Sequence, residues 1–227
     1  MQEGDERLSF LETGLSKLRT ASMLYIVSSL LTGIGLISLL PFTSLTYTSP
    51  THTHITGMVA ITKVSTIAFA AVGVAFTLLI LSIIGGILSL IALFAYLIPS
   101  FGDLSKYDES AFNTPYKLLK IGYLLGLILF ILSLIVIVLG AVGRSFIGLF
   151  LGTVLILVSF ILLLLGKIGL AIGMFKLRDR VAESLFLVAG ILFIIGIIIT
   201  IVDFVGWILV LVAAGSAIDR LKMKSQA

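Results

Sequence analysis

The chain contains no cysteine. That absence removes disulfides, thiol nucleophiles, thiolate metal sites, covalent haem attachment and iron–sulfur clusters together. Charge is nearly as scarce: 11 % of the 227 residues are Asp, Glu, Lys or Arg, against about 25 % in a soluble domain. So little charge cannot coat a water-facing surface. With 59 % hydrophobic residues and a mean hydropathy of +1.27, lipid is the expected solvent for most of the chain. There are 4 prolines, and Pro41, Pro50, Pro99 and Pro115 all fall at or beyond the ends of apolar runs. No HExxH, GxSxG or P-loop pattern is present. The serines and threonines of the second run have no His base near them in sequence. The expectation is a protein that is not an enzyme and carries no cofactor.

What the chain does have is long, unbroken apolar runs. Membrane barrels read as ~10-residue alternating segments, whereas these runs exceed 18 residues, which means helices. The expected fold class is all-α, a polytopic transmembrane helical bundle. Two runs, 64–98 and 185–217, are over-long, since each would reach about 50 Å as one helix against ~30 Å of hydrocarbon. Orientation follows Lys and Arg in short loops. Keeping 64–98 whole and dividing the last run in two puts Arg7, Lys17, Arg19, Lys106, Lys117, Lys120, Lys176, Arg178, Arg180, Arg220, Lys222 and Lys224 on one side. Those are twelve of the 15 basic residues. The predicted spans are 21–41, 64–98, 118–141, 147–175, 183–200 and 204–220. That makes six within a bundle over 21–220, with both termini cytoplasmic in a cell membrane.

Tyr25, Tyr96 and Tyr123 then sit at inner ends and Trp207 near an outer end, as interfacial aromatics do. The last turn is placed at 201–206, with Asp203 at the outer surface. The second helix is expected to project above the outer face, with its lipid-spanning part nearer 73–98. The Gly85–Gly86 pair is a possible kink, and a re-entrant segment is the alternative.

Outside the spans, Leu8, Leu11, Leu15 and Leu18 recur at helical spacing, predicting an amphipathic inner-surface helix over 1–20. Residues 103–116 read as a polar inner loop, with a short surface helix as the alternative, and 221–227 as a basic cytoplasmic tail. The acidic opening (Glu3, Asp5, Glu6) and the length of the first run predict that the first span is retained. The formal net charge of +4 comes from residues at the ends of apolar runs. That distribution is membrane anchoring and excludes nucleic acid as the partner.

Lys167 is the only charge well inside a predicted span, and intramembrane charges mark ion pathways, counter-ions or lipid head-group sites. No acidic residue is predicted at its depth, so it either snorkels to the inner interface or lines a substrate or lipid pocket with Gly166 and Gly169. Gly169 and Gly173 share a helix face, and Gly122 and Gly126 form a GxxxG. Such small residues let helices approach, within one chain or between subunits. His52 and His54 are the 2 histidines. Extended, they project from one side and could share a metal, but two ligands do not complete a site.

Three segments carry a resemblance: Glu12–Arg19, Asn113-Thr114-Pro115-Tyr116-Lys117, and Asp203-Phe204-Val205-Gly206-Trp207-Ile208-Leu209. They resemble an archaeal multi-span family of Sulfolobus-like organisms, catalogued as family nine hundred and seventy-three among the domains of unknown function. The resemblance implies a thermoacidophile cell membrane and supplies no catalytic or binding residues. Beside a metal- or proton-responsive outer surface built on His52 and His54, two functional expectations rest on the short loops, the scarcity of buried charge, the glycine seams and Lys167. One is a non-enzymatic structural or accessory subunit of a membrane assembly, whose partners are the lipid bilayer and either further copies of itself or a larger membrane complex. The other is a small-solute, ion or lipid transporter or channel using the Lys167 region.

Overall fold

The computed structural model describes residues 2–37, 73 and 76–225. Among them the chain is helical nearly throughout: α1 (Gln2–Ile37), α2 (Phe76–Tyr107), α3 (Glu109–Val142), α4 (Phe146–Val181), α5 (Ser184–Ile195) and α6 (Thr200–Ser225). His52 and His54 lie outside the described residues.

Short connections with identifiable caps set the helix ends. Asp108 alone separates α2 from α3. Its backbone is extended and its side chain accepts a hydrogen bond from the Ala111 amide at 3.0 Å, capping α3. Ser145 caps α4 in the same way through the Gly148 amide. Ala182 ends α4 in the left-handed region, φ 55°. Residues 103–116, read from sequence as a polar loop, are helical except at Asp108. The polar residues there mark where two long helices leave the apolar layer. Pro99 lies inside α2 and cannot donate to the Ala95 carbonyl, and the preceding turn widens into a π-helical stretch, Ala92–Leu97.

The expectation of six spans is overturned. Among the described residues four helices are long and apolar enough to cross a membrane: Phe76–Tyr107, Glu109–Val142, Phe146–Val181 and Thr200–Met223. The span expected at 183–200 is a helix of 12 residues, about 18 Å long against ~30 Å of hydrocarbon. In α1 the described apolar part, 21–37, falls short of the ~20 residues a span requires. Without six crossings the count of basic residues no longer assigns a side to the termini.

The chain falls into two compact units, one formed by Met1–Met23 with Ala92–Ala227 and the other by Leu24–Ile91. In the first, α3 and α4 form a long hairpin held by glycines. A Cβ on Gly122 would strike the Gly166 backbone, one on Gly140 would meet Leu149 N at 2.8 Å, and one on Gly169 would meet Leu118 Cβ at 2.8 Å. Ser159, fully buried, donates to the Gly126 carbonyl at 2.8 Å. The small-residue seam seen in the sequence therefore serves packing within the chain.

The core of this unit lies toward the charged end of the hairpin, around Phe101, Phe112, Leu119, Leu170, Met174, Leu177, Phe186 and Phe193. The first part of α1 joins that core: Leu11, Leu15 and Leu18 are buried, and a Cβ on Gly14 would meet Leu104 at 2.9 Å. Three of the four leucines of the stripe thus face protein, while Leu8 is exposed.

In the second unit Ser28 donates to the Gly85 carbonyl at 2.7 Å, and a Cβ on Gly85 would come within 2.6 Å of Thr32 Oγ1. The helix continues through the Gly85–Gly86 pair, and Gly85 serves close approach.

Candidate functional site

Lys167 projects from α4 at a level where Gly166 and Gly169 are taken up by packing. Gly166 lies against the Tyr123 ring and Gly169 against the α3 backbone at Leu119. Neither glycine lines an open space. Lys167 does meet a partner: its Nζ lies 2.9 Å from Asp203 Oδ1, and both side chains are about four-fifths buried (23 % and 22 % exposed).

The carboxylate reaches Lys167 because the last apolar run turns earlier than expected. The chain reverses at residues 196–199, and Asp203 falls in the first turn of α6. There the positive end of the helix dipole favours an anion. Gly196 makes this possible, since a Cβ on it would sit 2.9 Å from Asp203 Cβ. Asp203 therefore packs against α4, with its side chain largely buried. Trp207 is no interfacial anchor: it is 4 % exposed and its ring packs 4.8 Å from that of Phe193.

The sequence contained one usable signal for this pair. Lys167 and Asp203 are opposite charges, each alone in its apolar run. A turn at Gly196 instead of Gly206 matches their depths. The signal was hidden because Ile197, Ile198 and Ile199 carry none of the usual turn chemistry.

Opposite charges inside apolar surroundings hold each other, because either alone carries a large desolvation cost. A free anion entering at Lys167 would have to displace Asp203. The pair can fix two helices together or exchange a proton. It is not an open anion site.

A second polar layer closes the other end of the unit. Asp103 receives Lys17 at 2.5 Å and Lys106 at 3.7 Å. Asp108 pairs with Arg180 at 2.6 Å, and Glu183 with Arg220 at 2.7 Å. The hydrogen bond from Ser110, backed by the Ala111 amide and Arg180, holds the Asp108 carboxyl below its usual range. A cavity of about 420 Å³ opens beside this layer, lined by Leu11, Arg180, Val181, Arg220 and Leu221. Both of its guanidiniums are engaged by the carboxylates just named. Among the described residues no group of three or more His, Asp or Glu side chains is placed to hold a metal.

Long apolar helices, short connections and charges gathered in pairs define a multi-pass helical membrane protein. Within that class the chain belongs to the family described as "Protein of unknown function (DUF973)", which matches residues 12–227. No curated protein and no solved structure matches it.

Proposed function

We propose that this chain is a non-enzymatic structural or accessory subunit of a membrane assembly, built from further copies of itself or from a larger complex. The observation that carries this reading is the state of Lys167. Among the described residues, the one cation deep in the apolar layer is matched to a carboxylate of the same chain, which favours a packed, charge-balanced scaffold there over an open polar site. The outward surface of the α3–α4 hairpin adds support. Ile128, Ile131, Ile135, Leu157, Phe160 and Ile161 are all exposed, a broad apolar face able to meet lipid or another membrane helix. An archaeal, Sulfolobus-like source belongs to the same proposal and rests on the resemblance alone. Purification from native membranes in mild detergent tests it: the chain is expected in a stoichiometric assembly, and recovery solely as a bare monomer would count against it.

A second reading is favoured by the same pair. Ionisable groups at membrane depth are common in proton and solute pathways, which fits a small-solute, ion or lipid transporter. Unchanged flux through proteoliposomes bearing Lys167→Ala would remove it.

A further inference from the structure

The two hairpins of the first unit differ in depth. Water-seeking side chains mark two levels along α4. Arg144 lies in the α3–α4 turn, and Arg178 and Arg180 lie at the opposite end among Asp108, Glu183 and Arg220. Along the helix, Arg144 and Arg178 are separated by about 51 Å. A bilayer with its headgroup regions is ~40–45 Å thick, and a tilt of about 30° brings the two into register. This hairpin is long enough to cross.

The α5–α6 hairpin leaves the same charged end and stops early. The Lys167–Asp203 pair, 2.9 Å apart, and the packing of Gly196 on Asp203 put its turn beside Lys167. That level is about 17 Å of helix rise from Arg178 and about 34 Å from Arg144.

Three features of the turn are those of a segment surrounded by hydrocarbon. Its side chains are Ile197, Ile198 and Ile199, whereas the α3–α4 turn carries Arg144 and Ser145. Ile198 and Ile201 are 87 % and 74 % exposed with no charged side chain in the turn itself, whereas the equally exposed Val142, Phe146 and Ile147 flank Arg144. Finally, the turn answers part of its own backbone demand, at its amides. The amides of Gly196, Ile197, Ile198 and Ile199 donate to the carbonyls of Leu192, Ile194, Ile195 and Ile195, at 2.7, 3.2, 3.0 and 3.0 Å. Each amide paired in this way lowers the cost of a non-helical turn at membrane depth.

We propose that α5–α6 is a re-entrant hairpin. It inserts into the leaflet next to the charged end, presents Ile198 and Ile201 to the acyl chains of that leaflet, and returns to the surface it came from. The Lys167–Asp203 pair fastens its tip to α4. α6 is long enough to span, but its start is held at the Lys167 level, roughly 9 Å into a ~15 Å half-bilayer once the interfacial layer and the tilt are allowed for.

Spin-label depth measurements on the full chain test this, and the absence of cysteine lets single labels be placed without further changes. Ile198→Cys, Arg144→Cys and Ser184→Cys are each labelled with a nitroxide. The proteins are reconstituted into phosphatidylcholine–phosphatidylglycerol vesicles and probed with oxygen, which concentrates in hydrocarbon, and with a water-soluble nickel chelate. The label at 198 is expected to collide strongly with oxygen and weakly with nickel, while those at 144 and 184 do the reverse. Nickel accessibility at 198 matching that at 144 or at 184 overturns the proposal: the first means that the tip reaches one aqueous face, the second that it never enters the bilayer.

Discussion

Asp203 shows how one carboxylate organises its surroundings. It sits in the first turn of α6, accepts the charge of Lys167 at 2.9 Å and leaves no room for a Cβ on Gly196. Removing one member leaves the other charge stranded in an apolar layer, which costs more than the pair contributes. Lys167→Met is therefore expected to destabilise the chain by about 1–3 kcal/mol. The double variant Lys167→Met with Asp203→Leu should recover much of that loss in a double-mutant cycle read by thermal unfolding in detergent. Additive losses would mean that the two residues do not interact.

Asp108, outside the apolar layer, carries a separate prediction. Its carboxyl lies below its ordinary value of 3.8, chiefly through the Ser110 hydroxyl. A carboxylate with a depressed folded-state value contributes stability that is complete above the unfolded value and is lost as pH falls through the folded one. The Asp108 contribution should thus be constant from neutrality to about pH 4 and decline below it. Asp108→Ala should cost about 1 kcal/mol, the usual worth of an N-cap, and that deficit should shrink in the most acid range. A deficit that grows as the pH is lowered would contradict this assignment.

At the scale of the helix, glycines divide into those that permit contact and those that do not. A Cβ on Gly122 would collide with the backbone of Gly166 in the facing helix, which cannot yield as a side chain can. Gly122→Ala is expected to loosen the α3–α4 hairpin by more than about 2 kcal/mol. Gly86 has nothing within 4 Å of where its Cβ would stand, so Gly86→Ala should be neutral or stabilising by about 0.5–1 kcal/mol. Unfolding of the two variants in parallel checks the pair, and equal effects would sink the packing argument.

The same scale shows what the sequence can reveal. Helix identity was legible because the apolar runs are continuous, and the stripe of Leu11, Leu15 and Leu18 was legible from its spacing. Its target was not, because an amphipathic face fits a membrane surface and the Phe101–Leu104 region of α2 equally well. Helix ends were misjudged wherever polarity stood in for a boundary, as at 103–116, since long membrane helices carry their charged turns beyond the hydrocarbon. The position of the last turn was lost in a run of isoleucines, and with it the partner of Lys167.

At the scale of the molecule, charge is sorted by level. In the first unit, Asp103, Asp108 and Glu183 engage Lys17, Lys106, Arg180 and Arg220 in one layer. Lys167 and Asp203 form a second, and Arg144 stands at the far turn. Between the pair and that turn, α3 and α4 expose apolar side chains on every face not turned toward each other, with Val142, Phe146 and Ile147 more than three-quarters exposed. Run length combined with the sides assigned by basic residues implies six crossings, because that combination reads sides and not depths. A hairpin that returns early satisfies the same arithmetic as one that crosses twice.

The central claim is that the distal α3–α4 hairpin is immersed in lipid while the charge layer of Asp103, Asp108 and Glu183 stays at its base. Carbene labelling from photoactivated acyl chains in proteoliposomes, mapped by mass spectrometry, tests it most directly. The account predicts adducts on the exposed faces around Ile128, Ile135, Leu157 and Phe160, and none on Lys17, Asp103 or Arg180. Adducts concentrated in the charged layer, with the distal hairpin unlabelled, would contradict it.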